Sequence, residues 1–202
     1  MPFGAYDAFE DPYLYRGTNT LRNRLGLRDP AQLEAAELEL SSLRAEEPLP
    51  SGRFSSTHYR NIHRHLFRDV YAWAGHYRTI RTAKGGNWFC FPEHIRQQMN
   101  ALFDQLRGDS FLRDLDENIF VEKAAIFLGE LNAIHPFREG NGRKQLTFLD
   151  LIATKADHPL RLEMINAQSF MPAMVASFHK NYQPLQQELR SLLAGGIGWP
   201  GA

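Results

Sequence analysis

The stretch from Leu115 to Ile134 constrains this chain most. Phe120, Ala124, Phe127, Leu128 and Leu131 recur at helical spacing over a wide arc, which places the helix at the centre of a fold. Its end is equally well marked. Pro136 has no backbone donor and biases His135 away from helical geometry, so the helix should stop at the histidine. Gly140, Asn141 and Gly142 then permit backbone shapes that other residues avoid. A further helix is expected from about Arg143, carrying Leu146, Leu149 and Ile152 inward.

The remaining pattern is also helical. Asp29 can cap a helix that begins at Pro30 and places Leu33, Ala36, Leu40 and Leu43 on one face, and the stretch Pro48 to Gly52 ends it. Ser55-Ser56-Thr57 caps a second helix with Ile62, Leu66 and Val70 as its stripe, Phe67 and Trp73 flanking, and Gly75 as its stop. Residues 77–91 change character, with β-branched and aromatic residues on both sides of Lys84-Gly85-Gly86-Asn87, and read as a β-hairpin. Pro92-Glu93 opens a helix through Ile95, Met99, Leu102 and Leu106. After a loop from Gly108 to Asp114 and the central helix, two more helices are expected, Asn166 to His179 and Pro184 to Leu193. Residues 1–30 read as an irregular extension with short helical turns around Leu21 to Leu27, 31–194 as the domain and 195–202 as a loose tail. The expected class is all-α with one small β-hairpin.

Composition excludes more than it identifies. The 202 residues suit one domain, and 23 basic against 23 acidic residues give no global attraction to nucleic acid or an anionic membrane. Cys90 is the single cysteine, so no disulfide forms within the chain. No secretory signal is visible, and no stretch is long and apolar enough to span a bilayer. A cytoplasmic protein is expected, with translocation into another cell as the alternative. His58, His63 and His65 are five and two residues apart, do not share a helical face, and are expected to be packing or surface groups.

The chemistry concentrates between His135 and Arg143. A glycine-rich entry to a helix start is a ready phosphate site. Arg143 adds a forked cation. Glu139 is an acid beside this anion site, which a bridging Mg²⁺ reconciles. His135 is the group in the loop that can accept a proton near neutral pH. An anion cradle, a metal carboxylate, a phosphate arginine and a base together point to phosphoryl chemistry.

This string resembles the Fic family signature H-x-F-x-[D/E]-G-N-G-R-x-x-R, matched at every fixed position from His135 to Arg143. Tyr15-x-Gly17-Thr18-x-Thr20-Leu21 is similar to the opening of bacterial Fic toxins and effectors. The run His63-Arg64-His65-Leu66-Phe67-x-Asp69-Val70-Tyr71-x-Trp73-Ala74-Gly75 is similar to their helix before the flap, and the hairpin 77–91 to the flap itself. The resemblance implies a protein adenylyltransferase that uses ATP and Mg²⁺. His135 would deprotonate a target Tyr, Ser or Thr hydroxyl, Glu139 would hold Mg²⁺, and Gly140, Asn141, Gly142 and Arg143 would bind the phosphates. Phe137 belongs to the same nucleotide-binding group, as a buried anchor, while Pro136 and Arg138 are shape or surface residues. Flap residues Lys84, Gly85, Gly86, Asn87, Trp88 and Phe89 would dock a target strand by main-chain hydrogen bonds.

Two departures matter. Leu146 stands where the signature ends in arginine, and Lys144 lies about 200° away on a helix. No full inhibitory S/T-x-x-x-E-G/N pattern occurs: Ser42 to Glu46 is followed by Glu47. The resemblance therefore implies the class restrained by a separate small antitoxin supplying an inhibitory glutamate, whose relatives modify DNA gyrase and topoisomerase IV. A kinase-like relative replaces a loop glycine by lysine, and Gly142 argues against that. A binding module with weakened turnover is the non-enzymatic alternative.

Overall fold

The structure, a computed structural model, describes residues 11–193 apart from the Arg143 side chain. The start of the expected extension and the expected loose tail, 195–202, lie outside the described residues. Among the described residues the chain forms seven α-helices and one two-stranded hairpin. They run α1 (Pro30–Glu46), α2 (Ser56–Phe67), β1 (Ala83–Lys84), β2 (Asn87–Trp88), α3 (Pro92–Gly108), α4 (Glu117–Ile134), α5 (Asn141–Lys155), α6 (Ala167–Phe178) and α7 (Gln183–Leu192). This is the expected mostly helical class.

The chain divides into two compact units. The first comprises Met1–Gln98 with His135–Asn141, and the second Met99–Ile134 with Gly142–Ala202.

In the first unit, α1 packs on α2. Asp29 caps α1 by accepting from the Gln32 N–H at 2.9 Å. The face differs from the expected one. Leu33, Glu37 and Ser41 are buried, while Leu43 is exposed. The Tyr71 hydroxyl, itself buried, needs an acceptor and donates to Glu37 at 2.5 Å, which draws the 33–37–41 row inward. Burial, and then the adjacent Glu37 carboxylate, push the Tyr71 phenol far above its ordinary range.

α2 also stops earlier than the sequence pattern suggests. It ends at Phe67, and tight turns follow, with the Val70 N–H donating to Phe67 and the Ala74 N–H to Tyr71. These turns still bury Val70, Tyr71 and Ala74. Around Leu21 to Leu27 only a single turn forms, at Arg24 and Leu25, and no helix. The Asn23 side chain takes the local backbone groups instead, donating to the Leu21 and Leu27 carbonyls and accepting from the Leu25 and Leu27 N–H groups.

The hairpin is much shorter than 77–91. Its register pairs Ala83 with Trp88 and Lys84 with Asn87. Gly85 and Gly86 both have positive φ, +57° and +79°, as a two-residue type I′ turn requires. Beyond the hairpin the Ile80 and Cys90 carbonyls accept from the Arg78 guanidinium, which occupies acceptors a longer ladder would use. Phe89 points inward, whereas Trp88 and Phe91 are exposed with the Arg81 guanidinium 4.5 Å and 3.8 Å from their ring centroids.

In the second unit α4 is central, as its apolar arc predicts. Phe120, Val121, Ala124, Phe127, Leu128 and Leu131 are buried, and α4 packs against both α6 and α7. Asp116 caps α4 by accepting from Asn118 and Ile119, which sets its start at Glu117 rather than Leu115. Phe148 of α5 packs between Phe103 and Phe127. The inward face of α5 is a correction. Lys144, Gln145, Phe148, Leu149 and Ile152 are buried, while Leu146 is only half-buried. No helix among the described residues is long and apolar enough to cross a membrane.

Candidate active site

The loop after α4 begins with an unusual backbone. His135 has φ +47°, in the left-handed region that a side chain ordinarily avoids. The helix therefore stops at Ile134, and the histidine turns the chain sharply before Pro136. The His135 ring is half-buried and lies flat against Phe89, with centroids 3.8 Å apart and 9° between planes. Its carbonyl accepts from Arg78 Nε at 2.8 Å, and the Pro136 carbonyl accepts from the Arg78 backbone N–H at 2.9 Å.

Phe137 is fully buried, so its side chain anchors the loop and presents no surface to a nucleotide. It stacks on His63 with centroids 3.8 Å apart and on Tyr59 at 5.7 Å. His63 is also fully buried. The Gly75 N–H donates to its Nδ1 at 2.9 Å, so the ring proton sits on Nε2 and is donated to the Glu139 carbonyl at 3.0 Å. The sequence placed His63 among packing groups, and it is one, with a specific task under the loop. His63→Phe would keep the stack but leave two backbone groups without their partner. It should lower stability by about 2 kcal/mol or more in chemical denaturation. An unchanged midpoint would contradict this network. His58 and His65 do not join it: their Nε2 atoms bond the Pro50 and Arg44 carbonyls.

Arg138 is buried, so of the shape and surface roles expected for it the surface one is ruled out. It pairs with the buried carboxylate of Asp11, with Nε and Nη2 each 2.9 Å from Oδ2. Gly140 has φ +77°, and a Cβ there would lie 2.5 Å from the Phe67 ring. Asn141 was expected to face phosphate. Its side chain instead clasps Phe137, accepting from that residue's N–H at 3.0 Å and donating to its carbonyl at 2.8 Å.

The chain then enters α5. Gly142 is exposed, and a Cβ built there meets nothing within 4 Å, so the helix start is open at this residue, whereas Asn141 and Lys144 on either side are buried. The N–H groups of the first turn have no intrahelical acceptor, which suits an anion. Glu139 is half-exposed. Its Oε1 accepts from the Gly140 N–H at 2.9 Å, which orients the carboxylate beside the helix start. No group of three or more metal-ligating side chains occurs among the described residues. A single carboxylate fits Mg²⁺ held mainly by phosphate oxygens and water, and does not fit zinc.

The structure thus brings His135, Phe137, Glu139, Gly140 and Asn141 together in one loop, with Gly142 and Arg143 next in the chain as the start of α5. The hairpin residues Lys84, Gly85 and Gly86 are exposed, and Phe89 stacks on His135. Sequence reasoning missed Arg78. An arginine in a strand-like stretch of mixed polarity carries no signal that the residue is 2% exposed. Burial pushes the Arg78 guanidinium down to about 10.

Comparison with known proteins agrees with this geometry. The chain is 45% identical over 189 residues to the probable protein adenylyltransferase y4lH of Sinorhizobium fredii, covering 93% of this chain and 98% of that one. It is 36% identical over 167 residues to the probable protein adenylyltransferase Fic of Escherichia coli, covering 81% and 82%. The Fic domain of a Bartonella quintana effector protein with bound ADP superposes with a TM-score of 0.84 at 25% identity, covering 90% and 94%. The BepC protein of Bartonella tribocorum with bound AMPPNP gives 0.83 at 27%, covering 90% and 96%. Residues 53–153 match the Fic/DOC family, and the chain belongs to that family.

Proposed function

We propose that this chain is a nucleotidyltransferase, a protein adenylyltransferase that moves AMP from ATP to a Tyr, Ser or Thr hydroxyl of a target protein. One observation carries the reading: a half-exposed histidine, held in a strained backbone turn, stands six residues before a helix start that is open at Gly142, with a carboxylate between them.

The target hydroxyl oxygen attacks the α-phosphorus, and its proton passes to His135. The bond from the α-phosphorus to the β-phosphate oxygen breaks, and pyrophosphate leaves. Such a transfer needs positioning and charge stabilisation more than covalent help. The first-turn N–H groups of α5 and the Arg143 cation hold the phosphates. Glu139 would hold Mg²⁺, which neutralises phosphate charge when bound. The exposed turn Lys84 to Asn87 offers hydrogen-bonding backbone to an extended target segment.

The finer reading is a cytoplasmic growth-arresting toxin that modifies DNA gyrase and topoisomerase IV and is restrained by a separate small protein supplying a glutamate. The incomplete inhibitory pattern supports it. Glu46 closes α1, and Glu47 pairs with Arg44 at 2.8 Å. Purified gyrase and topoisomerase IV, incubated with the protein, ATP and Mg²⁺, should gain AMP by mass spectrometry. AMP on other lysate proteins and on neither of these would remove the target and leave the reaction.

Leu146 favours a second reading, a weakened enzyme or one with an altered donor that acts mainly by binding. It puts an aliphatic group where the signature places a cation. Calorimetry separates the two: a heat of ATP binding supports the enzyme, and none supports the binding module.

A further inference from the structure

Arg78 joins three stretches of backbone. Its Nε donates to the His135 carbonyl at 2.8 Å, Nη1 to the Ile80 carbonyl at 2.6 Å and Nη2 to the Cys90 carbonyl at 2.5 Å. Ile80 lies on the way into the hairpin, and Cys90 on the way out. The Arg78 N–H adds a bond to the Pro136 carbonyl. A rigid planar fork can meet three acceptors in this way, and a lysine ammonium on a flexible stem cannot. The histidine it holds has a backbone conformation unfavourable to any side chain, so outside bonds are needed to keep it. Phe89, one residue before Cys90, lies flat on the His135 ring. The backbone of the histidine, its ring and both roots of the hairpin therefore meet around one guanidinium.

We propose that Arg78 is a positioning residue for the transfer, aligning the His135 imidazole with the hairpin that presents the target segment. The proposal rests on the adenylyltransferase reading. It assigns Arg78 no contact with nucleotide or target. Loss of its fork lets the histidine and the hairpin move independently, so the hydroxyl and its base lose register. The bonds described for Arg78 go to the backbone of residues 80, 90, 135 and 136, so its loss should act on the histidine and the hairpin and leave ATP affinity near the parental value.

The test compares Arg78→Lys and Arg78→Gln with the parent protein, taking whichever variant melts cooperatively. Transfer to target should fall about ten- to hundredfold in kcat, as small misplacements of reacting groups do. The ATP Kd should stay within about twofold. In NMR spectra the His135 ring protons of the parent should be shifted upfield by the Phe89 ring current, and the shift should collapse in the variant. Added guanidinium should restore rate and shift in Arg78→Ala. A folded variant with parental rate and parental His135 shift would overturn the proposal. So would rapid solvent exchange of the Arg78 Nε–H in the parent, which needs no variant. If the parent itself transfers no AMP, the adenylyltransferase reading fails, while the NMR comparison still decides whether Arg78 positions His135.

Discussion

His135→Ala should keep nucleotide binding and lose target modification by about 10²- to 10⁴-fold, the range of general-base assistance. The loss should fall on kcat, because the proposed mechanism has the imidazole take the proton of the attacking hydroxyl and assigns phosphate binding to the first turn of α5. Alanine also tolerates the left-handed φ of +47° poorly and gives up the stack on Phe89. A second variant separates these effects. Asparagine accepts positive φ more readily than other side chains, so His135→Asn removes the base with less backbone penalty. Both variants should bind ATP with parental affinity by calorimetry, and both should fail in transfer. Parental transfer by either would remove the base from the mechanism.

Gly140→Ala should destabilise the protein by about 2–5 kcal/mol, combining backbone strain with overpacking against a ring. The new methyl would stand 2.5 Å from Phe67, which is itself fully buried. Gly142→Ala, two residues later, should do the opposite. Its Cβ meets nothing within 4 Å, and alanine in a helix is favoured over glycine by up to about 1 kcal/mol. That methyl would nevertheless intrude on the helix start where it is open, so ATP affinity should drop while stability rises. Urea denaturation and calorimetry on both variants check the contrast. Equal stability effects would mean that the two glycines do not have the separate roles given to them.

Much of the fold was legible in periodicity. The arc on α4 and the proline after His135 fixed the central helix and its end, and the Asp29 and Ser55 caps placed two helix starts. Three of the differences share one cause. Buried polar groups overrode apolar spacing. Glu37 entered the core of its unit because Tyr71 required an acceptor, and Lys144 and Gln145 turned inward where Leu146 was expected. The hairpin was over-extended because the Arg78 fork, satisfying Ile80 and Cys90, is a long-range arrangement without local pattern. The candidate site was more legible than its support. The residues from His135 to Gly142 could be named from their types and spacing. That His63 braces Glu139 and that Asp11 pairs with Arg138 are facts of packing between distant segments, and the clasp of Asn141 on Phe137 is a local side-chain choice that residue types do not announce.

ATP labelled at the α-position or at the γ-position, incubated with the protein, Mg²⁺ and a bacterial lysate, tests the central claim most directly. The account predicts protein-bound label from the α-position and none from the γ-position, lost in His135→Ala. Label from the γ-position alone, or α-label that persists undiminished in His135→Ala, would contradict it.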